Sequence, residues 1–178
     1  MMKLNKKGFT LVELLAVIVV LAIVMLIALQ AVMPRMEEAR KSVLAIEANT
    51  AIKTAQTYFT NKSLKSNESG FPSVVGKTNC VSIDDLIDEG YSELNKDSYS
   101  GKVLIKKETS TLYTYLIYLQ KDKTLMIVGK GSSEGYNVNI ESDDVQGYEG
   151  WLDTYDECQS SELNGNTEMS SAKQILMN

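Results

Sequence analysis

Histidine is missing from this sequence of 178 residues, and cysteine and proline are scarce, with two residues of each. Without histidine the chain cannot build a histidine triad, a histidine general base or a histidine metal ligand. Its two cysteines, Cys80 and Cys158, cannot form a four-thiolate zinc site. The remaining residues show no nucleophile–base pair and no phosphate-binding loop. The sequence therefore predicts a protein that is not an enzyme and that uses no cofactor.

Positive charge is missing from the C-terminal part of the chain. No lysine or arginine lies between Gly131 and Ala172, a stretch that holds ten acidic residues. An acidic surface repels phosphates and releases no counterions, so binding to nucleic acid is disfavoured. Calcium binding by the acidic segment 141–157 is one alternative, but the segment lacks EF-hand spacing, which favours a solvated loop. We expect Trp151 in this segment to be a packing anchor.

A long apolar run dominates the N-terminal part. Every residue from Leu14 to Leu29 is apolar, and the segment from Phe9 to Met33 has 25 residues. As a helix it would be about 37 Å long, enough to cross a bilayer core of about 30 Å. Lysines precede the run and none lies inside it, which predicts a cytoplasmic N-terminus and an external remainder after Pro34.

A secretory signal peptide is the alternative reading of the apolar run. Its apolar region would have about 7–15 residues and would end in small residues at a cleavage site. Here the run is longer, and "MPRMEEARKS" follows it. A retained membrane-spanning helix therefore fits the sequence better.

Helical periodicity continues beyond the apolar run, to about Asn61. Pro34 is expected to kink this helix locally without ending it, because the periodicity resumes at once. Two apolar stripes follow the proline at steps of three and four residues. The first stripe contains Met36, Ala39, Val43 and Ile46, and the second, on a rotated face, contains Ala45, Ala48, Ile52, Ala55 and Phe59.

The rest of the chain predicts a small antiparallel sheet. Residues 60–79 have loop composition, and a short helix follows, with Ser82 and Asp85 at its start and Gly90 at its end. Strand patterns cover 102–106, 112–120 and 124–130, with "KDK" as a hairpin turn, and "YNVNI" is a candidate edge strand. From Glu141 onward the pattern is irregular, and "SSAKQIL" predicts a last helical turn. The expected fold is α+β: the long N-terminal helix packed on an antiparallel sheet of three to four strands.

The segment "KKGFTLVELLAVIVVLAIV" resembles the N-terminus of type IV prepilins, and "IDDLIDEGY" resembles a short helical stretch in such proteins of Gram-positive bacteria. The resemblance implies that residues 1–8 are a leader, cut after Gly8 by a prepilin peptidase, and that Phe9 becomes the N-methylated N-terminus. Residues 9–34 would be the transmembrane and assembly helix, and 35–178 the extracellular domain, which includes the amphipathic half of the helix. Such proteins often have a proline within the apolar segment, whereas here Pro34 lies at its far end.

The chemistry of Gly8 and Glu13 agrees with these implied roles. Glycine has no Cβ, so a protease can approach the backbone closely. A carboxylate buried in a fibre needs a cation, and the amine freed on Phe9, in the same subunit or a neighbour, would supply one. Glu13 would then guide assembly. The alternative is a helix-start glutamate worth about 0.3–1 kcal/mol.

The sequence thus predicts a subunit of type IV pili that is anchored in the cell membrane and then polymerises with copies of itself into an extracellular fibre. Its partners would be the prepilin peptidase and the pilus assembly platform and ATPase. Alternatives are a pseudopilin or minor pilin of a secretion or competence system, and a membrane-anchored surface binding protein that does not polymerise. An external location favours a Cys80–Cys158 disulfide over two free thiols.

Overall fold

The structure is a computed structural model that describes residues 10–65, 70–132, 139–148, 150, 158 and 167–168. The predicted roles of Gly8, Phe9 and Trp151, and the predicted last turn "SSAKQIL", lie outside these residues. The chain divides into two compact units, Met1–Arg40 and Lys41–Asn178. The predicted boundary between residues 34 and 35 marks the end of the apolar run and stays a prediction.

Helix α1 spans Leu11–Leu64 and passes through Pro34 without a break. The predicted continuity is confirmed, whereas the kink at Pro34 stays a prediction. Proline removes one backbone donor at a cost of about 3 kcal/mol in a helix interior. The helix-forming residues on both sides offset that cost. The helix ends three residues beyond the predicted end at Asn61.

A short helix and a sheet follow α1. Among the described residues the sheet has six strands in the order β5-β4-β3-β2-β1-β6, and every neighbouring pair is antiparallel. The elements are β1 (Lys77–Ser82), α2 (Ile83–Asp88), β2 (Tyr99–Lys107), β3 (Tyr113–Lys121), β4 (Leu125–Ser132), a 3-10 helix (Ser142–Asp144), β5 (Gln146–Gly147) and β6 (Thr167–Glu168). The α+β class and the three predicted strands, here β2 to β4, are confirmed.

The predicted strand number and the predicted loop 60–79 need correction. Residues 60–64 belong to α1, and residues 77–79 begin β1, which the sequence did not indicate. The polar sequence "KTNCVS" has a weak strand pattern, and tertiary contacts override it. Asn79 shows how: its side-chain amide donates to the Gly70 carbonyl, and its Oδ1 accepts from the Cys80 N–H. These bonds satisfy a buried polar side chain.

The predicted edge strand "YNVNI" is wrong in its described part. Asn139 and Ile140 are not in a strand, and the residues before them lie outside the description. Instead, β5 pairs with the start of β4, where Leu125 and Met126 face Gly147 and Gln146. The segment from Glu141 is also more regular than predicted, because a 3-10 helix precedes β5.

Local signals at the turns are confirmed by the geometry. The Ser82 hydroxyl accepts from the Asp85 N–H at 3.0 Å and caps α2. Gly90 has φ +77° and ends α2 in a Schellman motif, with N–H bonds from Gly90 to Ile87 and from Tyr91 to Leu86. At the "KDK" hairpin, Asp122 and Lys123 have φ of 50° and 52°, and the Thr124 N–H donates to the Lys121 carbonyl at 2.9 Å, so a tight turn joins β3 to β4.

The core lies between the second half of α1 and one face of the sheet. Ile52, Ala55 and Phe59, which the sequence predicts to be buried, are fully inaccessible to solvent. They belong to one cluster with the inward side chains of the sheet, among them Val103, Ile105, Tyr115, Ile117, Leu119 and Ile127. Alternate residues of each strand point to the two faces, so Leu104 and Tyr118 form a smaller cluster on the outer face.

Candidate functional site

The start of α1 is capped by three hydrogen bonds between Thr10 and Glu13. The Thr10 N–H and the Thr10 hydroxyl each donate to Glu13 Oε2 at 2.8 Å, and the Glu13 N–H donates to Thr10 Oγ1 at 3.3 Å. This is a capping box, which satisfies backbone donors that have no partner inside the helix. Its carboxylate also faces the positive end of the helix dipole.

The capping box fixes the position of the Glu13 carboxylate. Because the carboxylate accepts from the Thr10 backbone N–H, it lies at the peptide group that joins Thr10 to Phe9. Sequence reasoning singled out Glu13 but missed Thr10. The signal was available, since "TLVE" before an apolar run is the Ser/Thr-x-x-Glu pattern of a capping box.

The apolar part of α1 has no cover within its own unit. Every described residue from Leu11 to Arg40 is exposed, including large apolar side chains along the whole stretch from Leu11 to Met33. By length and composition, α1 can cross a membrane, and no part of its most apolar stretch is buried. An exposed apolar surface of this size is found where lipid or other chains cover it.

A second exposed apolar surface lies within residues 41–64 of α1. Val43 and Ile46, from the first predicted stripe, are 45% and 65% exposed. The second stripe is buried against the sheet. The sequence predicts both stripes, but only the structure shows that one of them remains open.

Three side chains fasten the second half of α1 to the sheet. The Tyr99 hydroxyl on β2 donates to Glu47 Oε1 at 2.6 Å, and the Lys121 ammonium on β3 lies 3.3 Å from the same oxygen. The ammonium also lies 4.7 Å from the centre of the Tyr99 ring. Burial and the Glu47 carboxylate raise the pKa of Tyr99. Burial lowers the pKa of Lys121, but its bonds to Tyr99 and Glu47 outweigh that effect and raise it.

Asn49 fastens the segment 139–148 to the same helix. Its side chain accepts from the Ile140 N–H at 3.0 Å and donates to the Ile140 carbonyl at 2.9 Å, as a neighbouring strand would. Ile140 and Val145 are thereby held in the core. Further along, Lys130 pairs with Asp144 at 2.9 Å. The Lys130 ammonium is the main cause of the lowered pKa of Asp144.

The structure contains the predicted Cys80–Cys158 disulfide, which leaves no free thiol in the chain. Its Cα atoms are 5.7 Å apart, and it joins positions that are 78 residues apart in the sequence. Cys80 lies on the outer face of β1, and Cys158 packs against the small cluster there. The bond therefore ties the acidic C-terminal part of the chain to the sheet.

The described residues hold no group of three or more acidic or cysteine side chains that could bind a metal ion. In the described part of the segment 141–157, Asp144 accepts from the Glu141 N–H and pairs with Lys130. The Asp144 carboxylate is therefore occupied by a local hydrogen bond and an ion pair. The calcium alternative therefore gains no support from the part of the segment that the structure describes.

Comparison with known families gives one match. Residues 3–29 match the family described as "Prokaryotic N-terminal methylation motif". Neither the curated proteins nor the solved structures gave a match to this chain. The matched motif is the signature of type IV prepilins, so the N-terminal segment is of the pilin or pseudopilin type. Together with the apolar helix, it fits a protein that is anchored in a membrane.

Proposed function

We propose that this protein is a structural subunit of type IV pili. A prepilin peptidase removes the leader after Gly8, and Phe9 becomes the N-methylated N-terminus. Before assembly the protein is a single-pass membrane protein with a cytoplasmic N-terminus. The assembly platform and its ATPase then polymerise it with copies of itself into an extracellular fibre. The support for this proposal is the methylation motif at residues 3–29 together with the geometry at Glu13.

The position of the Glu13 carboxylate carries the proposal. It lies on the backbone N–H of Thr10, and cleavage after Gly8 would create an amine on the residue directly before Thr10. A carboxylate held at that place is within one residue of the new cation. Burial of the apolar segments in a fibre removes both charges from water, so they are stable there only as a pair. Pairing of the carboxylate with the subunit's own amine or with a neighbour's amine would stabilise one axial register between neighbouring subunits.

The exposed apolar surfaces of α1 supply the driving force for assembly. Side chains from Leu11 to Met33 and the stripe residues Val43 and Ile46 have no apolar cover in the single chain. Helix packing in a fibre would cover them, at about 25 cal/mol for each Å² removed from water. Burial of a large apolar area favours association but does not fix how the subunits align. The charge pair would fix their axial register.

The test is a set of Glu13 substitutions expressed in the natural host. Glu13→Gln and Glu13→Ala leave membrane insertion and cleavage after Gly8 intact, but fibre number falls steeply, because an unpaired buried amine costs about 3–5 kcal/mol. Glu13→Asp is intermediate, because its carboxylate reaches less far. The measurement is electron microscopy of sheared fibres with immunoblots for the processed subunit, and Glu38→Gln is the matched control on the same helix.

Each outcome of this test distinguishes the candidate functions. Normal fibre numbers from the processed Glu13→Ala variant would remove the assembly role and leave a capping residue. A chain that retains its first eight residues in the host would contradict the pilin proposal and leave a membrane-anchored surface protein. Processing without any surface fibre in the wild type would favour a pseudopilin or minor pilin.

A further inference from the structure

The Thr10 hydroxyl makes two different contacts at the start of α1. It accepts a hydrogen bond from the Glu13 N–H at 3.3 Å, and it donates one to Glu13 Oε2 at 2.8 Å. The first contact caps the helix, because it satisfies a backbone donor that has no partner inside the helix. The second contact is not needed for capping. It acts on the carboxylate itself and can hold that group in place.

The two oxygens of the Glu13 carboxylate differ in their contacts. Oε2 accepts from the Thr10 N–H and from the Thr10 hydroxyl, each at 2.8 Å. Within the part of the chain that the structure describes, no residue donates a hydrogen bond to Oε1. A carboxylate can accept hydrogen bonds at both oxygens. One oxygen is therefore fixed to its own chain, and the other can accept from a further donor.

Fixing the carboxylate matters because Glu13 is exposed. An exposed glutamate side chain samples several rotamers, and a partner that binds it must overcome that entropy. The two donors of Thr10 select one arrangement before any partner arrives. The same bonds compensate a charged group at the border of an apolar run, where an unbonded carboxylate would be costly.

We propose that Thr10 is a positioning residue for Glu13. Its hydroxyl holds Oε2, so that Oε1 meets the amine of a cleaved N-terminus in one orientation. The effect on assembly rests on the pilus proposal above. The contact between Thr10 and the Glu13 carboxylate is a property of the single chain, so it can be tested without any fibre.

The first measurement is carbon NMR of the full chain in lipid vesicles, with glutamate labelled at the carboxyl carbon. The Glu13 signal is the one that is missing in Glu13→Gln. It should move in Thr10→Val, which has a similar shape but no hydroxyl, and it should keep its wild-type position in Thr10→Ser. Thr124→Val is the matched control, because the exposed Thr124 hydroxyl donates to the Lys121 carbonyl in the β3–β4 hairpin.

The second measurement is the number of fibres in the natural host for each processed subunit. Division by the processed subunit separates assembly from cleavage, because Thr10 lies close to the proposed cut after Gly8. Thr10→Val should lower this number about tenfold, whereas Thr10→Ser and Thr124→Val should stay within about twofold of the wild type.

Thr10→Gly separates the two contacts of the hydroxyl. Glycine is tolerated at an N-cap, where it costs little compared with threonine, but it has no hydroxyl to donate. Loss of the bond to the carboxylate should therefore lower fibre number as much in Thr10→Gly as in Thr10→Val. Circular dichroism confirms that each variant is folded.

Three results would overturn the inference. An unchanged Glu13 signal in the folded Thr10→Val variant would show that the hydroxyl does not hold the carboxylate. A moved signal with normal fibre number would remove the role in assembly. Normal fibres in Thr10→Gly beside a loss in Thr10→Val would leave helix capping alone. Absence of fibres in the wild type would instead contradict the pilus proposal, and the NMR signal would still decide whether Thr10 holds Glu13.

Discussion

The two halves of α1 are both helical and both rich in apolar residues, yet their environments are opposite. Every described residue from Leu11 to Arg40 is exposed. Within the second half, one stripe is fully covered by the sheet, with Leu44, Ala45, Ala48, Ala51, Ile52, Ala55 and Phe59 buried. The difference shows that apolar content alone does not define a core. What matters is whether the chain itself supplies a complementary surface.

In the pilus proposed above, the second half of α1 would stabilise the folded globular unit and the first half would stabilise assembly. Burial of the second half stabilises the globular unit, because its contacts form within one chain. Burial of the first half can stabilise only a membrane-inserted or assembled state, because its own unit offers no cover. Changes in the second half should therefore lower the stability of the globular unit. Changes in the first half should instead impair the membrane-inserted or assembled state.

Deletion of residues 1–34 is the largest change that tests the difference between the two halves of α1. The remaining chain should be soluble and folded, because the buried stripe and its sheet lie entirely after that point. Circular dichroism should show mixed helix and strand with cooperative thermal unfolding. An aggregated or unfolded chain would mean that the second half depends on the first for its stability.

The Cys80–Cys158 disulfide supports the sheet on which the second half packs. Replacing Cys158 by Ser should lower the free energy of unfolding by about 4–5 kcal/mol, because the bond closes a long loop. Denaturant titration of the residue 35–178 chain measures the change. Reduction of the wild-type chain should give the same loss, and a stable reduced chain would show that packing alone holds the C-terminal part.

Two isoleucines on α1, one buried and one exposed, allow the two stripes to be compared by the same substitution. Ile52→Ala should lower the free energy of unfolding by about 2–5 kcal/mol, because it leaves a cavity in the core. Ile46→Ala, at a position that is 65% exposed, should change it by less than about 0.5 kcal/mol. In the host the ranking should reverse for fibre packing, where Ile46 loses a covered contact. Similar unfolding energies for the two variants would remove the distinction between the stripes.

The contact between Glu47, Tyr99 and Lys121 gives the smallest expected effect. Tyr99→Phe removes one hydrogen bond to a partly exposed carboxylate and should cost about 1 kcal/mol. The pKa of Tyr99 is raised above its ordinary value of 10.0, so its stabilisation is present below pH 10 and is lost as the pH rises through the folded-state pKa. The raised pKa of Lys121 acts in the same direction.

The dependence of stability on alkaline pH can be measured directly. Denaturant titrations at increasing pH should show falling stability above pH 10 in the wild type and a weaker fall in Tyr99→Phe. Tyr58→Phe serves as an independent comparison, because Tyr58 also has a raised pKa but lies away from this contact, so the reductions caused by the two single variants should add in the double variant. Identical pH profiles for wild type and Tyr99→Phe would show that the contact contributes nothing to the alkaline transition.

Local and nearest-neighbour signals allowed much of this structure to be predicted. The long helix, the strands β2 to β4, the cap at Ser82 and the glycine end at Gly90 follow from periodicity and turn chemistry over a few residues. Strand β1 could not be predicted in this way, because its buried polar residue Asn79 is stabilised by a partner outside the strand, the Gly70 carbonyl. The candidate site was half predicted, since Glu13 was identified and its partner Thr10 was not.

The sequence by itself determined the N-terminal motif, the apolar run and the two apolar stripes of α1, because each is a property of residue order along one element. The tertiary structure alone decided which stripe is buried, because that depends on a sheet made from distant segments. It also decided that Glu47 meets Tyr99 and Lys121 across three elements. Such contacts depend on how strands pair and on where a helix crosses them, and no short window of sequence contains that information.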